Sequence, residues 1–153
     1  MYKKIVVPLD GSQVAECVIP HIEALAKCSM GEIQLVTIVE PIDLPTRGKI
    51  ALSDEDIKHT NTELQQEAHR YLKRVTQKLK RSGIVAHPMI LNGKTAESLI
   101  EYINDNDVDL VIMATHGRSG ISKLFWGSIA EKVIRSGNAP ILLVKAASCG
   151  CET

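Results

Sequence analysis

The pattern of apolar and polar residues along the chain predicts alternating strands and helices. Short apolar runs of strand length occur at residues 5–7, 32–39, 84–91, 110–114 and 140–145. Between them, apolar residues recur at intervals of three and four, which is typical of helices with one buried face. This alternation predicts an α/β fold in three layers, an open parallel five-stranded sheet with helices on both faces.

Two features of the strands predict their order in the sheet. Pro88 lies inside the third strand and removes one backbone N–H from the ladder, which favours an edge position. Residues 110–114 form a continuous apolar run, which is typical of a central strand covered on both faces. The predicted order is therefore 3-2-1-4-5, with a ligand-binding crevice where the chain reverses direction between strands 1 and 4. Residues 40–52 lack periodicity and follow strand 2 near this crevice, so they are a candidate lid.

Local signals predict where the helices begin and end. Ser53 and Asp56 have the spacing of a capping box at the start of the longest helix. Pro20 lies within the first helical pattern and predicts a kink or a loosened first turn. Gly83 is expected to end the longest helix, and Gly137 is expected to close the last helix as a left-handed cap.

The stretch that follows strand 4 has the residue types of an anion-binding turn. Residues 115–120 are small, polar or glycine, so the chain leaves the sheet with the backbone freedom that glycine supplies. Ser128 and Glu131 have capping-box spacing, which predicts a helix that begins near Gly127. A helix start offers unpaired N–H groups and the positive end of the helix dipole, and both favour phosphate. The plainer alternative is that Gly117 only turns the chain and Ser128 only caps the helix.

The same stretch resembles the signature of the universal stress protein family, in its ATP-binding branch. That signature is a glycine, two residues, a second glycine, nine residues, and then a glycine followed by serine or threonine. Gly117, the nine residues 118–126, Gly127 and Ser128 match it in identity and spacing. Ala114 replaces the first glycine and narrows the approach of a ligand to the backbone. The resemblance also covers the amino-terminal strand and leaves only the last eight residues outside it.

The resemblance implies the adenine nucleotide alpha-hydrolase-like fold and an adenine nucleotide as ligand. That ligand would be ATP, or else ADP or AMP, with Mg²⁺ as a candidate companion of the phosphates. The resemblance places Asp10 beside the adenosine and Ile38 against the adenine, although the Asp10 carboxylate can instead cap a helix. The nucleotide-binding residues implied in this way are Pro8, Leu9, Asp10, Ile38, Met113, Ala114, His116, Gly117, Arg118, Ser119, Gly127, Ser128 and Ile129.

Few residues of the candidate site indicate catalysis. His116 can act as an acid or base near the phosphates, but a loop histidine more often packs or caps. No lysine occupies the P-loop position, and neither a nucleophile with its base nor a pair of metal-binding carboxylates is evident. Binding is therefore favoured over catalysis, and the sequence predicts no catalytic residue and no metal ligand.

Three functions compete at this level. The leading interpretation is an ATP-binding universal stress protein that acts as a nucleotide-dependent stress-response or signalling dimer, with an unknown client. A slow ATP hydrolase or phosphotransfer enzyme is the first alternative. A receiver-like phosphorylation module is the second, but the chain lacks an acidic pair after strand 1. The apolar fifth strand predicts the dimer edge, as the resemblance also implies, through Ile141, Leu142, Leu143 and Val144.

Composition and charge argue against several classes of partner. The chain has 153 residues with 18 acidic and 18 basic side chains, so no net field favours nucleic acid or an anionic membrane. No apolar run approaches the roughly 20 residues of a membrane span, and a strand begins almost at once, so a cytoplasmic location is expected. One domain is expected over residues 1–146, followed by a flexible tail at 147–153 that carries two of the four cysteines.

Overall fold

The computed structural model describes residues 2–27, 31–42, 53–115 and 127–146. The strands are β1 (Lys4–Pro8), β2 (Glu32–Val39), β3 (Ala86–Asn92), β4 (Leu110–Thr115) and β5 (Ile141–Lys145). The helices are α1 (Ile19–Ala26), α2 (Asp54–Arg81), α3 (Thr95–Asp105) and α4 (Ser128–Ser136), and a 3-10 turn at Ala15–Val18 precedes α1. Each strand and helix expected from the sequence is therefore present.

The strands form one sheet, in which all neighbours are parallel and the order is β3-β2-β1-β4-β5. The fold class and the strand order predicted from the sequence are confirmed. β3 lies at an edge, as the proline inside it indicates. It begins at Ala86, two residues later than expected, because the Ile84 N–H donates to the Leu79 carbonyl at 3.0 Å and still closes α2.

The side chains of the sheet alternate between two separate parts of the core. In β1, Ile5 and Val7 pack on the side covered by α1 and α2, whereas Val6 packs on the side covered by α3 and α4. Leu72 of α2 and Leu99 of α3 are almost fully buried on these two sides. Full burial of one such leucine contributes about 1.5–3 kcal/mol relative to its exposure. The three predicted layers are therefore helices, sheet and helices.

The predicted ends of the longest helix are confirmed. The Ser53 hydroxyl accepts the Asp56 N–H at 3.1 Å, and the Asp56 carboxylate accepts the Ser53 N–H at 3.2 Å, which completes the capping box. At the other end, Gly83 has a positive φ of 78° and donates its N–H to the Lys80 carbonyl at 3.0 Å. Pro20 lies in the first turn of α1, directly after the 3-10 turn, so the loosened start that it predicts is also confirmed.

The predicted left-handed cap at Gly137 is wrong. This residue has φ −83° and ψ 141°, which is extended backbone that other residues also adopt. A Cβ at this position would lie 2.8 Å from the Val133 carbonyl oxygen, and the Gly137 N–H donates to that same oxygen at 2.8 Å. Glycine is therefore favoured here by the close approach of its own backbone to the Val133 carbonyl, one turn earlier in α4.

Candidate functional site

A cavity of about 360 Å³ lies at the carboxyl ends of β1, β2 and β4. Its position is the crevice that the strand order predicts, because the chain leaves β1 toward one face of the sheet and β4 toward the other. The volume falls within the range of about 300–1,000 Å³ that small-molecule sites occupy.

The cavity brings together most of the residues implied by the sequence. Those that line it are Pro8, Leu9, Asp10, Ile38, Met113, Ala114, Gly127, Ser128 and Ile129. The remaining candidates, His116, Gly117, Arg118 and Ser119, lie outside the described residues, as do residues 43–52 of the proposed lid.

The lining also includes residues that sequence analysis missed, namely Ser12, Val14, Ala15, Thr37, Thr95, Leu99 and Ala130. Two of them could have been found from the predicted topology. Thr37 precedes Ile38 at the end of a strand that flanks the crevice, and Thr95 begins the helix that follows β3. The other five depend on how the helices pack against the sheet, which the sequence pattern does not specify.

A hydrogen-bonded floor joins the ends of β1 and β2 beneath the cavity. Thr37 is buried, and its hydroxyl donates to the Leu9 carbonyl at 2.9 Å. The Leu9 N–H donates in turn to the Val36 carbonyl at 2.8 Å. Because both polar groups of Leu9 are used in these bonds, the backbone at this point is fixed before any ligand enters.

Asp10 stands on the loop directly above this floor, with its carboxylate exposed. Its Oδ1 accepts the Ser12 N–H at 2.9 Å, and the Ser12 hydroxyl accepts the Ala15 N–H at 3.1 Å at the start of the 3-10 turn. Gly11 between them has a positive φ of 87°, which glycine adopts without strain. Asp10 therefore stabilises a tight turn and also presents its carboxylate to the cavity. The helix cap considered for it is wrong, because its carboxylate accepts the Ser12 N–H, and it is Ser12 that accepts an N–H of the 3-10 turn.

The start of α4 faces the cavity with its first N–H groups uncapped by the side chains described. The N-cap residue is Gly127, with φ 83° and ψ 139°, and it makes no side-chain cap bond. The predicted capping box of Ser128 and Glu131 is wrong, because Ser128 is already the first helical residue. The Glu131 carboxylate instead pairs with Arg135, with 2.9 Å between Oε1 and Nη2. Uncapped N–H groups at a helix start favour an anionic ligand.

The start of α3 also reaches the cavity, through Thr95, but it already carries a carboxylate. Glu40 Oε1 accepts both the Thr95 N–H and the Thr95 hydroxyl, each at 2.7 Å. The hydroxyl bond, followed by the backbone bond, lowers the pKa of the Glu40 carboxyl. The two helix starts at this cavity therefore differ in charge.

Two further properties bear on what the described residues can do. Within them, no group of three or more histidine, cysteine, aspartate or glutamate side chains is arranged to hold a metal ion. The helices inside the described ranges are each too short or too polar to cross a lipid bilayer.

Comparisons with known proteins agree with this architecture. Universal stress protein MJ0531 of Methanocaldococcus jannaschii is 32% identical over 148 residues, which cover 95% of this chain and 83% of that protein. The solved structure of MJ0577 from the same organism, also named a universal stress protein, has a TM-score of 0.76 and 26% identity. That alignment covers 95% of this chain and 96% of MJ0577.

A third structure, of a universal stress protein in complex with cAMP, has a TM-score of 0.68 and covers 95% of this chain and 98% of its own. Its identity is 19%, so the likeness concerns the fold alone. The sequence model of the universal stress protein family matches residues 1–145, nearly the whole chain. The chain belongs to the universal stress protein family.

Proposed function

We propose that this protein binds an adenine nucleotide, ATP in the first place, in the cavity at the ends of β1, β2 and β4. The observation that carries the proposal is the convergence of nine sequence-predicted residues from four separate parts of the chain on this one cavity. The complex of a related fold with cAMP supports an adenine nucleotide as the class of ligand.

The arrangement suggests one direction for the nucleotide. The phosphates would lie at the start of α4, where the N–H groups of the first turn and the Ser128 hydroxyl are available. Residues 117–119 would complete this end, as the family signature implies. Asp10 would accept hydrogen bonds from the ribose, and Ile38 would contact the adenine. Met113 and Ala114 would pass beneath the ribose and phosphates.

The proposed output is nucleotide-dependent stress response or signalling by a homodimer. β5 is an edge strand, and apart from the buried Val144 its side chains are only partly covered by the rest of the chain. An apolar edge of this kind is normally paired or covered, and a two-fold axis would pair two copies of β5. Occupancy of the cavity would then be the variable that a partner protein detects.

The position of the phosphates is best tested at Ser128. Ser128→Asp should preserve α4, because a carboxylate in the first turn interacts favourably with the helix dipole. It should weaken ATP binding tenfold or more, since like charges about 4 Å apart near a protein surface repel by about 4 kcal/mol. Ser128→Asn is the neutral control of similar shape and should bind ATP nearly as tightly as the parent.

Titration calorimetry with ATP on the three proteins, with circular dichroism to verify folding, decides the question. A folded Ser128→Asp protein that binds ATP as tightly as the parent would exclude phosphate binding at α4. Mass spectrometry of small molecules released when the purified parent is denatured would identify the resident ligand independently.

A further inference from the structure

The two helix starts at the cavity present different charges to a ligand. α3 reaches the cavity through Thr95, and α4 reaches it through Gly127 and Ser128. Both helices are long enough to have an appreciable dipole, with 11 and nine residues respectively. The start of α3 holds the carboxylate of Glu40, whereas none of the described side chains caps the start of α4.

The Glu40 carboxylate binds the start of α3 in the way that a phosphate ligand would. Its Oε1 accepts two hydrogen bonds from Thr95, one from the backbone N–H and one from the hydroxyl, each at 2.7 Å. Lys94, the N-cap residue of α3, makes no side-chain cap bond of its own. The same two bonds lower the pKa of the Glu40 carboxyl below its ordinary value of 4.5, so the group carries a negative charge at neutral pH. A full negative charge therefore occupies the position that a phosphate would otherwise favour.

The backbone around Glu40 is fixed on both sides. The Gly93 N–H donates to the carbonyl of Val39 at 3.0 Å. On the other side, the Ile42 N–H donates to Asn61 Oδ1 at 2.8 Å, and Asn61 Nδ2 donates back to the Ile42 carbonyl at 3.4 Å. Glu40 therefore leaves β2 in a defined direction, and its bonds to Thr95 belong to a supported geometry.

We infer that Glu40 is a specificity-determining residue, which closes the α3 end of the cavity to anions and directs the anionic end of the ligand to α4. The inference deepens the proposed function and rests on it for the identity of the ligand. The class of ligand it selects is a nucleotide that is phosphorylated at one end only. Glu40 does not itself line the cavity but is bonded to Thr95, which does. A nucleotide with a second phosphate on the side of the ribose nearer Thr95 would be repelled by the Glu40 carboxylate and bind more weakly.

Glu40→Gln separates this electrostatic role from a purely structural one. The glutamine side chain keeps an oxygen that can accept from Thr95, so α3 should still fold. Its neutral oxygen holds the Thr95 N–H more weakly than the carboxylate does, so an added anion can displace it. Glu97→Gln is the matched control. Glu97 lies in the first turn of the same helix and pairs with Lys132 at 3.0 Å, so its replacement removes the same charge without touching the Thr95 N–H.

The probe is inorganic tripolyphosphate, titrated without Mg²⁺ and followed by the amide resonances in ¹⁵N-labelled parent, Glu40→Gln and Glu97→Gln proteins. In the parent and in Glu97→Gln, the anion should shift the amides of Ser128 and Ile129 and leave those of Thr95 and Ala96 in place. In Glu40→Gln, the Thr95 and Ala96 amides should shift as well. The affinity for tripolyphosphate at the start of α3 should therefore be at least about tenfold higher in this variant than in the parent.

The titration separates the role of Glu40 from the proposed phosphate position. A shift of Thr95 in the parent equal to that of Ser128, or an unmoved Thr95 in Glu40→Gln, overturns the role of Glu40. If the Ser128 amide does not shift in any of the three proteins while the Thr95 amide shifts only in Glu40→Gln, the proposed phosphate position at α4 fails, and only the exclusion of anions from α3 by Glu40 stands. Where AMP binds the parent, adenosine 3′,5′-bisphosphate should bind about tenfold more weakly than AMP, and Glu40→Gln should remove most of that difference.

Discussion

Asp109 and Lys4 bond to each other in both directions at the starts of the two central strands. The Lys4 N–H donates to Asp109 Oδ2 at 2.8 Å, and the Asp109 N–H donates to the Lys4 carbonyl at 2.9 Å. The Lys3 N–H donates to the same carboxylate oxygen at 2.7 Å. Because Ile5 then pairs with Leu110, this contact sets the register between β1 and β4, whose other ends form the cavity.

Asp109→Asn should therefore destabilise the fold in a manner that depends on pH. The N–H groups of Lys4 and then Lys3 lower the pKa of the Asp109 carboxyl below its ordinary value of 3.8. The stability that the carboxylate contributes is fully present above pH 3.8 and is lost as the pH falls through the lowered pKa.

Urea denaturation should show a lower midpoint for the variant than for the parent at pH 7, and a smaller difference between the two midpoints near pH 3. A difference that is independent of pH, or an equal effect of Glu101→Gln on the exposed face of α3, would contradict this account.

Gly31→Ala should be severely destabilising because the residues just before β1 and β2 approach each other closely. A Cβ at this position would lie 1.8 Å from the carbonyl oxygen of Lys3, and backbone cannot rotate away as a flexible side chain can. The Gly31 N–H also donates to the Tyr2 carbonyl at 3.1 Å, so a shift of either segment would break that bond. We expect a loss of about 3 kcal/mol in the free energy of unfolding, at the upper end of overpacking effects.

Gly11→Ala provides the contrasting control, measured by the same chemical denaturation. A Cβ on Gly11 would meet nothing within 4 Å, but its φ of 87° is strained for other residues. The expected loss is about 1–2 kcal/mol, which is the cost of a left-handed conformation. A loss at Gly31→Ala no larger than at Gly11→Ala would mean that a small backbone shift relieves the contact with Lys3.

The sequence predicts the elements and their order because these depend on local signals. The continuous apolar run of β4, the proline in β3 and the capping box at Ser53 each follow from a few adjacent residues. The bond between Glu40 and Thr95 joins residues 55 positions apart, and no spacing rule indicates it. This hydrogen bond becomes evident only when the fold brings the end of β2 next to the start of α3.

The sequence predicts the roles of residues at turns less well than those of residues within helices and strands. Ser128 and Glu131 have capping-box spacing, but a glycine takes the N-cap position and moves the serine into the helix. Gly137 is required by the Val133 carbonyl and not by its own dihedral angles. Gly127 has a φ of 83°, so a valine there would strain the backbone as well as block a phosphate. For this reason Ser128 is the better position at which to test the anion site.

Tyr71 should make the stability of the protein fall at alkaline pH. Burial, and next the charges of Glu16 and Asp10, raise the pKa of the Tyr71 hydroxyl from 10.0 to about 12. The contribution of the neutral phenol is fully present below pH 10 and is lost as the pH rises toward about 12. The guanidinium of Arg74, 5.2 Å from the centre of the ring and paired with Glu16 at 2.7 Å, offsets only part of this effect.

Urea denaturation of the parent and of Tyr71→Phe between pH 8 and pH 11 measures this contribution. The parent should lose stability more steeply above pH 10 than the variant, which has no hydroxyl to ionise. Tyr2→Phe, at an exposed position, is the matched control and should follow the parent. Parallel curves for the parent and Tyr71→Phe would show that other groups account for the alkaline loss.

Leu142→Lys should convert the proposed homodimer into monomers. β5 is an edge of the sheet, and Leu142 is exposed on it, at 37% of its surface, whereas Leu143 packs against the core on the side of α3 and α4. A lysine at Leu143 would therefore test folding, but a lysine at Leu142 opposes only the pairing of two edges by placing like charges near the two-fold axis. Val85→Lys adds the same charge at an exposed apolar position next to the opposite edge strand and should leave the dimer intact. Sedimentation velocity measures the oligomeric state of the parent and of both variants. A monomeric parent would contradict the proposed homodimer. A dimer that survives Leu142→Lys but not Val85→Lys would place the interface at β3.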